Sequence, residues 1–147
     1  MSDPAGNRLA TLLRLGLAVV FIYASLDKIA HPAAFAAAIG HYQLLPGFLA
    51  ALLAAILPWL ELGCGLALLL NRGMAGATLL AAGMNLVFIL AITTALARGL
   101  DISCGCFSTS DAGSRVGVTR LLEDLVLLLA AGWLYLRAIA APRPDFA

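Results

Sequence analysis

The stretch Met74–Ala97, MAGATLLAAGMNLVFILAITTALA, contains no Asp, Glu, Lys, Arg or His, and its polar residues are mild ones such as Asn85, Thr93 and Thr94. A helix rises about 1.5 Å per residue and a bilayer's hydrocarbon core is about 30 Å thick, so this segment can cross a membrane unaided. The rest of the chain agrees in kind. Of its 147 residues 63% are hydrophobic and 12% charged, against roughly 45–50% and about 25% in soluble domains. A water-soluble fold of this size has too little interior to hide that much apolar surface.

Working outward, residues 48–70 form a second apolar segment that closes on Asn71, Arg72 and Gly73 and carries Pro58 and Glu61 inside it. Residues 9–28 form another, in which Arg14 lies near enough to one end to snorkel to the headgroups. A cleavable signal peptide is the competing reading of this start. Asp27, Lys28, His31 and Pro32 occupy the place where small residues would mark cleavage, so the first helix is expected to stay. Residues 118–137 make a fourth segment, with Arg120, Glu123 and Asp124 in its opening turns at spacings that pair along one helix face. The expected architecture is all-α: a polytopic bundle of four transmembrane helices, forming one domain over residues 1–147.

Between the first two crossings, residues 29–47 read as a short amphipathic helix in the membrane interface followed by a turn. The connection 98–117 holds Cys104-Gly105-Cys106 and then a polar run. Placing both termini in the cytoplasm puts Arg8, Arg14, Arg72, Arg137 and Arg143 inside against Lys28, Arg98, Arg115 and Arg120 outside, a vote of five to four. That orientation sets the cysteine loop on the extracytoplasmic side, where disulfides persist. No basic run exceeds a pair, which excludes nucleic acid as an expected partner.

Two thiols separated by one glycine can close into a small, strained disulfide ring, and strain makes a disulfide exchangeable. Arg98, Arg115 and Arg120 flank the pair and would favour the thiolate. Three readings of Cys104 and Cys106 follow: redox exchange, soft-metal capture with His31 or His41 completing the ligands, and a structural pair. The histidines read more simply as interfacial polar residues, and no resident metal is expected. Cys64 stands one turn after Glu61 and reads as a small apolar residue, with a relay thiol as the alternative.

A carboxylate in a crossing costs about 2.5–3.5 kcal/mol on insertion scales unless compensated, so Glu61 needs a partner among Arg14, Lys28 and Arg120. A buried ion pair that fixes packing and a role in proton or quinone handling both fit it. Lys28, Glu61 and Arg120 are the candidate lining of one polar pocket beside the cysteine loop; helix-end anchoring is the plainer alternative for Asp27, Lys28, Arg120, Glu123 and Asp124. Trp59, Phe21, Tyr23 and Phe88 could line a quinone site or simply pack.

The ordered set of residues 24–29 (ASLDKI), 32–35, 42–46 (YQLLP), 57–63 (LPWLELG) and 104–107 (CGCF) resembles the DoxX-like superfamily, especially its methylamine-utilisation MauE branch. The resemblance covers about residues 14–137. It implies a four-helix inner-membrane protein concerned with maturation of a disulfide-rich secreted enzyme, methylamine dehydrogenase. It also implies a thioredoxin-like extracytoplasmic partner and, through DoxX relatives, a link to membrane quinone. On this likeness Cys104 and Cys106 match the family's cysteine motif, Lys28 its first-helix lysine and Glu61 its second-helix glutamate. Ser108 departs from the glycine that often follows the motif. The expectation is therefore a membrane thiol-disulfide redox protein serving a thioredoxin-like partner or a secreted client. A soft-metal transporter and a non-catalytic assembly subunit are the alternatives.

Overall fold

The computed structural model describes residues 4–102 and 117–140. Cys104, Cys106 and Arg115 lie outside the described residues, as does the segment between them. Five helices occur in the order α1 (Pro4–Ala30), α2 (Pro32–His41), α3 (Gly47–Leu69), α4 (Met74–Ala97) and α5 (Val118–Ala140). No strand is present among the described residues, and the all-helical expectation holds.

The distribution of apolar residues is that of a bundle in lipid. Leu12, Val19 and Tyr23 of α1, Phe48, Leu52 and Trp59 of α3, and Leu79, Val87 and Leu90 of α4 all point outward. Inside, small residues dominate: Ala18, Ala50, Ala54, Ala77, Ala81, Ala95 and Ala131 are buried. Lipid gives helices no hydrophobic reason to associate, so close packing of small residues has to hold them together. Gly65 shows this most directly. A Cβ there would fall 2.7 Å from Ile22 Cγ1 and 3.1 Å from the Ile22 backbone nitrogen, so α3 lies on α1 with no room for a side chain.

Three helices are long and apolar enough to cross a membrane: Ala5–Ala30, Gly47–Leu69 and Met74–Ala97. The chain is a multi-pass membrane protein. Helix α5 is as long as α3 but carries Arg120, Glu123, Asp124 and Arg137, and it is not among these three. Buried hydroxyls are satisfied within their own helices, Ser25 donating to the Ile22 carbonyl at 2.7 Å and Thr78 to that of Met74 at 2.6 Å.

Helix α1 packs along α3 and α4 along α5, and α1 also meets α5. Arg14 donates to the carbonyls of Leu68 and Leu69, capping the negative end of α3. Arg137 donates to the Gly6 carbonyl and to Asn7 Oδ1, tying the end of α5 to the start of α1. Helix α3 ends with Asn71 in the left-handed region (φ 55°), where the Asn71 and Arg72 amides donate to the Leu68 and Ala67 carbonyls.

Helix α4 stops in the same way. Gly99 takes φ 67°, and the amides of Gly99 and Leu100 donate to the Leu96 and Ala95 carbonyls. That turn aims Leu100 and Ile102 at the buried cluster of Tyr42, Ile92 and Ala95, on which Leu121 of α5 also packs. Arg98 reinforces it, donating to the Tyr42 carbonyl at 2.9 Å and to Gln43 Oε1 at 3.1 Å. The end of α4, the start of α5 and the α2–α3 turn thus meet at one end of the bundle.

Candidate functional site: a buried ion pair

Lys28 is two positions from the end of α1, where a lysine would ordinarily snorkel outward. Instead it is 1% exposed and turns into the bundle. Its ammonium donates to both carboxylate oxygens of Glu61, at 2.7 and 2.8 Å, and Glu61 is 3% exposed. Two aromatic faces close round the same ammonium, Phe35 of α2 at 5.0 Å and Phe88 of α4 at 5.2 Å to the ring centroids. Such faces favour a charged lysine. Helix α2 is placed for this because Phe35, Ala38 and Tyr42 fall on one face and are all buried.

Asp124 and Asn85 complete the polar cluster. Both are buried, and Asp124 Oδ2 and Asn85 Nδ2 have no hydrogen-bond partner among the described residues. With Glu61 they line a cavity of about 20 Å³, otherwise walled by apolar residues such as Phe21, Met84 and Phe88. A much larger apolar cleft of about 670 Å³ lies on the other side of Met84 and Phe88. It runs between α3 and α4 under Ile39, Tyr42 and Leu45, and Gly83 lines it. Burial, and after it the Asp124 charge, push the Tyr42 phenol up to about 12, so it is neutral in the physiological range.

The structure brings Lys28 and Glu61 together and directs the other proposed partners elsewhere. Arg14 is engaged at the far end of α3. Arg120 donates to Glu123 at 2.6 Å on the exposed side of α5 and does not join the pair. Cys64 is buried in the apolar core with its thiol donating to the Ala77 carbonyl at 3.1 Å, which fits the small-apolar reading. His31 is exposed near Asp27, 3.7 Å from its carboxylate. No group of three His, Cys, Asp or Glu that could hold a metal occurs among the described residues.

Sequence reasoning missed the central place of Asp124, Asn85 and Phe35. A usable signal existed for Asp124, which shares a helix face with Ala131 and Leu134 at spacings of seven and ten.

The described residues flanking the cysteine segment, Ile102 and Gly117, lie at the ends of α4 and α5. The chain leaves α4 at the turn that Arg98 secures, and it re-enters at Gly117, seven residues before Asp124, about 10 Å along the helix. These flanks therefore lie at the Lys28–Glu61 end of the bundle.

Comparison with known proteins agrees with this description. The family profile of "Methylamine utilisation protein MauE" matches residues 6–137. A methylamine utilization protein MauE of Methylophilus methylotrophus is 36% identical over 140 residues, covering 95% of this chain and 71% of its own length. The one of Paracoccus denitrificans is 32% identical over 120 residues, covering 81% of this chain and 63% of its own. The one of Methylorubrum extorquens is 36% identical over 98 residues, covering 66% and 53%. The chain thus spans from about half to about seven-tenths of these relatives. No solved structure matches it. A match over nearly the whole described bundle, together with relatives above 30% identity, establishes that the chain belongs to the MauE family of membrane proteins.

Proposed function

We propose that the protein is a thiol-disulfide redox protein of the inner membrane, accessory to the maturation of an extracytoplasmic enzyme of amine utilisation. The observation that carries this reading is that the described residues flanking Cys104-Gly105-Cys106 lie at one end of the bundle, together with the buried ionic cluster. The names of its relatives supply the amine-utilisation setting. DoxX-like kinship rests on the motif likeness alone.

The chain crosses the membrane four times in this reading. Helix α5 supports it with an outward apolar stripe of Leu122, Val126, Leu129 and Leu136, and its charges turn inward or sit at its ends. Both termini lie in the cytoplasm, and the cysteine loop faces the opposite side.

In the exchange itself, one cysteine thiolate attacks a disulfide sulfur of a thioredoxin-like or secreted partner and releases a partner thiolate. The second cysteine then attacks the mixed disulfide, closing Cys104–Cys106 and freeing the partner as a dithiol. Run in reverse, the loop disulfide oxidises its partner. Arg98 and Arg120, at the two flanks, favour the thiolate. The apolar cleft between α3 and α4 has the volume of a small-molecule site. Membrane quinone fits its lining and would supply a two-electron acceptor there.

Thiol trapping across a series of defined potentials tests the reading. A reversible two-electron transition, lost in Cys104→Ser, and a mixed disulfide trapped in Cys106→Ser are expected. A double serine variant with undiminished function in the cell would leave an assembly role instead, and stoichiometric metal lost on Cys104→Ser would indicate metal handling. Quinone co-purifying with the protein and lost in Gly83→Phe, which fills the cleft, checks the cofactor.

A further inference from the structure

The polar cavity is a site in its own right. Two buried polar atoms, Asn85 Nδ2 and Asp124 Oδ2, lack partners among the described residues and belong to residues that line it with Glu61. Its volume of about 20 Å³ is room for a single water, which needs at least about 10–15 Å³ and two to four polar partners. Asn85 offers a donor, Glu61 an acceptor and Asp124 either.

The charges around it do not balance. From α1 comes one cation, Lys28, whose charged form the Phe35 and Phe88 faces favour, while Asp27 beside it lies at the partly exposed edge near His31. From α3 comes Glu61 and from α5 Asp124, two carboxylates for that one ammonium. Tyr42 beside α2 is a neutral phenol, and α4 carries no ionisable side chain. Arg120, one turn before Asp124, bonds Glu123 and its charge also reaches Asp124, so these three groups of α5 bring one cation and two carboxylates. Cys64, one turn below Glu61, is bonded to a backbone carbonyl. One negative charge is left over in the membrane interior, and neutralisation by a proton is the cheapest relief for it.

We propose that this cavity binds one water and one dissociable proton, the proton being held on Asp124 and exchangeable through the water with Glu61. Such a site takes up or releases a proton whenever the charge on Lys28 or Glu61 changes, and it does so whether or not the cysteines exchange disulfides.

Infrared spectroscopy of the purified protein in lipid nanodiscs at neutral pH tests it, because a protonated carboxyl absorbs apart from carboxylates and shifts in D2O. Wild type should show one carboxylic acid. Asp124→Asn and Glu61→Gln should each show none, since the remaining carboxylate then matches Lys28. Lys28→Met should double the band. In heavy-oxygen water the stretch of the held water should shift, and Asn85→Leu should abolish it. A wild-type spectrum with carboxylates alone, or an acid band that survives both Asp124→Asn and Glu61→Gln, overturns the proton site; a spectrum without a held-water band overturns its water. Should Lys28→Met not fold, wild type and the near-isosteric Asp124→Asn still decide.

Discussion

The Lys28 ammonium and the Glu61 carboxylate, 33 positions apart, form a two-pronged ion pair that locks α1 to α3 inside the bundle. Removing one member breaks the pair and leaves the other buried without its hydrogen-bonded partner, a change that costs about 3–5 kcal/mol, whereas apolar replacement of both is often tolerated. Lys28→Met and Glu61→Gln should each lower the thermal midpoint in detergent sharply. The double variant should recover a large part of the loss. Strict additivity of the two effects in a double-mutant cycle would show that the pair is not coupled.

At Gly65 α3 lies directly against the α1 backbone. Gly65→Ala should destabilise the bundle by about 1–3 kcal/mol through overpacking, and Gly65→Leu should prevent assembly. Gly63, two positions away, has open space around its Cα and serves as the control. Equal effects at the two positions in detergent unfolding would contradict the close approach.

Cys64 is inert in this arrangement, buried and bonded to the Ala77 carbonyl. Maleimide labelling of the Cys104→Ser, Cys106→Ser variant should be absent in the folded protein and complete after denaturation. Cys64→Ala should leave the redox transition of the loop unchanged. Rapid labelling in the folded state would reopen a relay role.

Tyr42 sets an alkaline limit. Its phenol is raised from about 10 to about 12 in the folded protein, so between those values the folded state holds a proton that the unfolded state has lost. The stabilisation is therefore complete below pH 10 and declines as pH rises through about 12. The difference in thermal midpoint between wild type and Tyr42→Phe should shift in favour of the variant across that window. A constant difference would mean that Tyr42 does not titrate there.

Much of the fold was legible because lipid imposes a blunt rule. A charge-free run such as Met74–Ala97 has few alternatives to a crossing helix, and Glu61 stood out because a carboxylate in such a run demands an explanation. Which cation answers it depends on which helices touch, and helix pairing leaves little trace in one sequence. Arg14, Lys28 and Arg120 were equal candidates until α1 was seen to lie along α3. Asp124 was concealed by its neighbours. Its spacing from Arg120 suggests a surface pair, but Arg120 takes Glu123 at three residues rather than Asp124 at four. Phe35 looked like interfacial apolar surface because nothing local shows that α2 turns it onto Lys28.

Lys28 faces one residue from every other helix: Phe35 of α2, Glu61 of α3, Phe88 of α4 and Asp124 of α5. While α1 and α3 are apart, Lys28 and Glu61 are separate ionic groups among acyl chains. Either helix alone therefore carries an insertion cost that docking of the two removes.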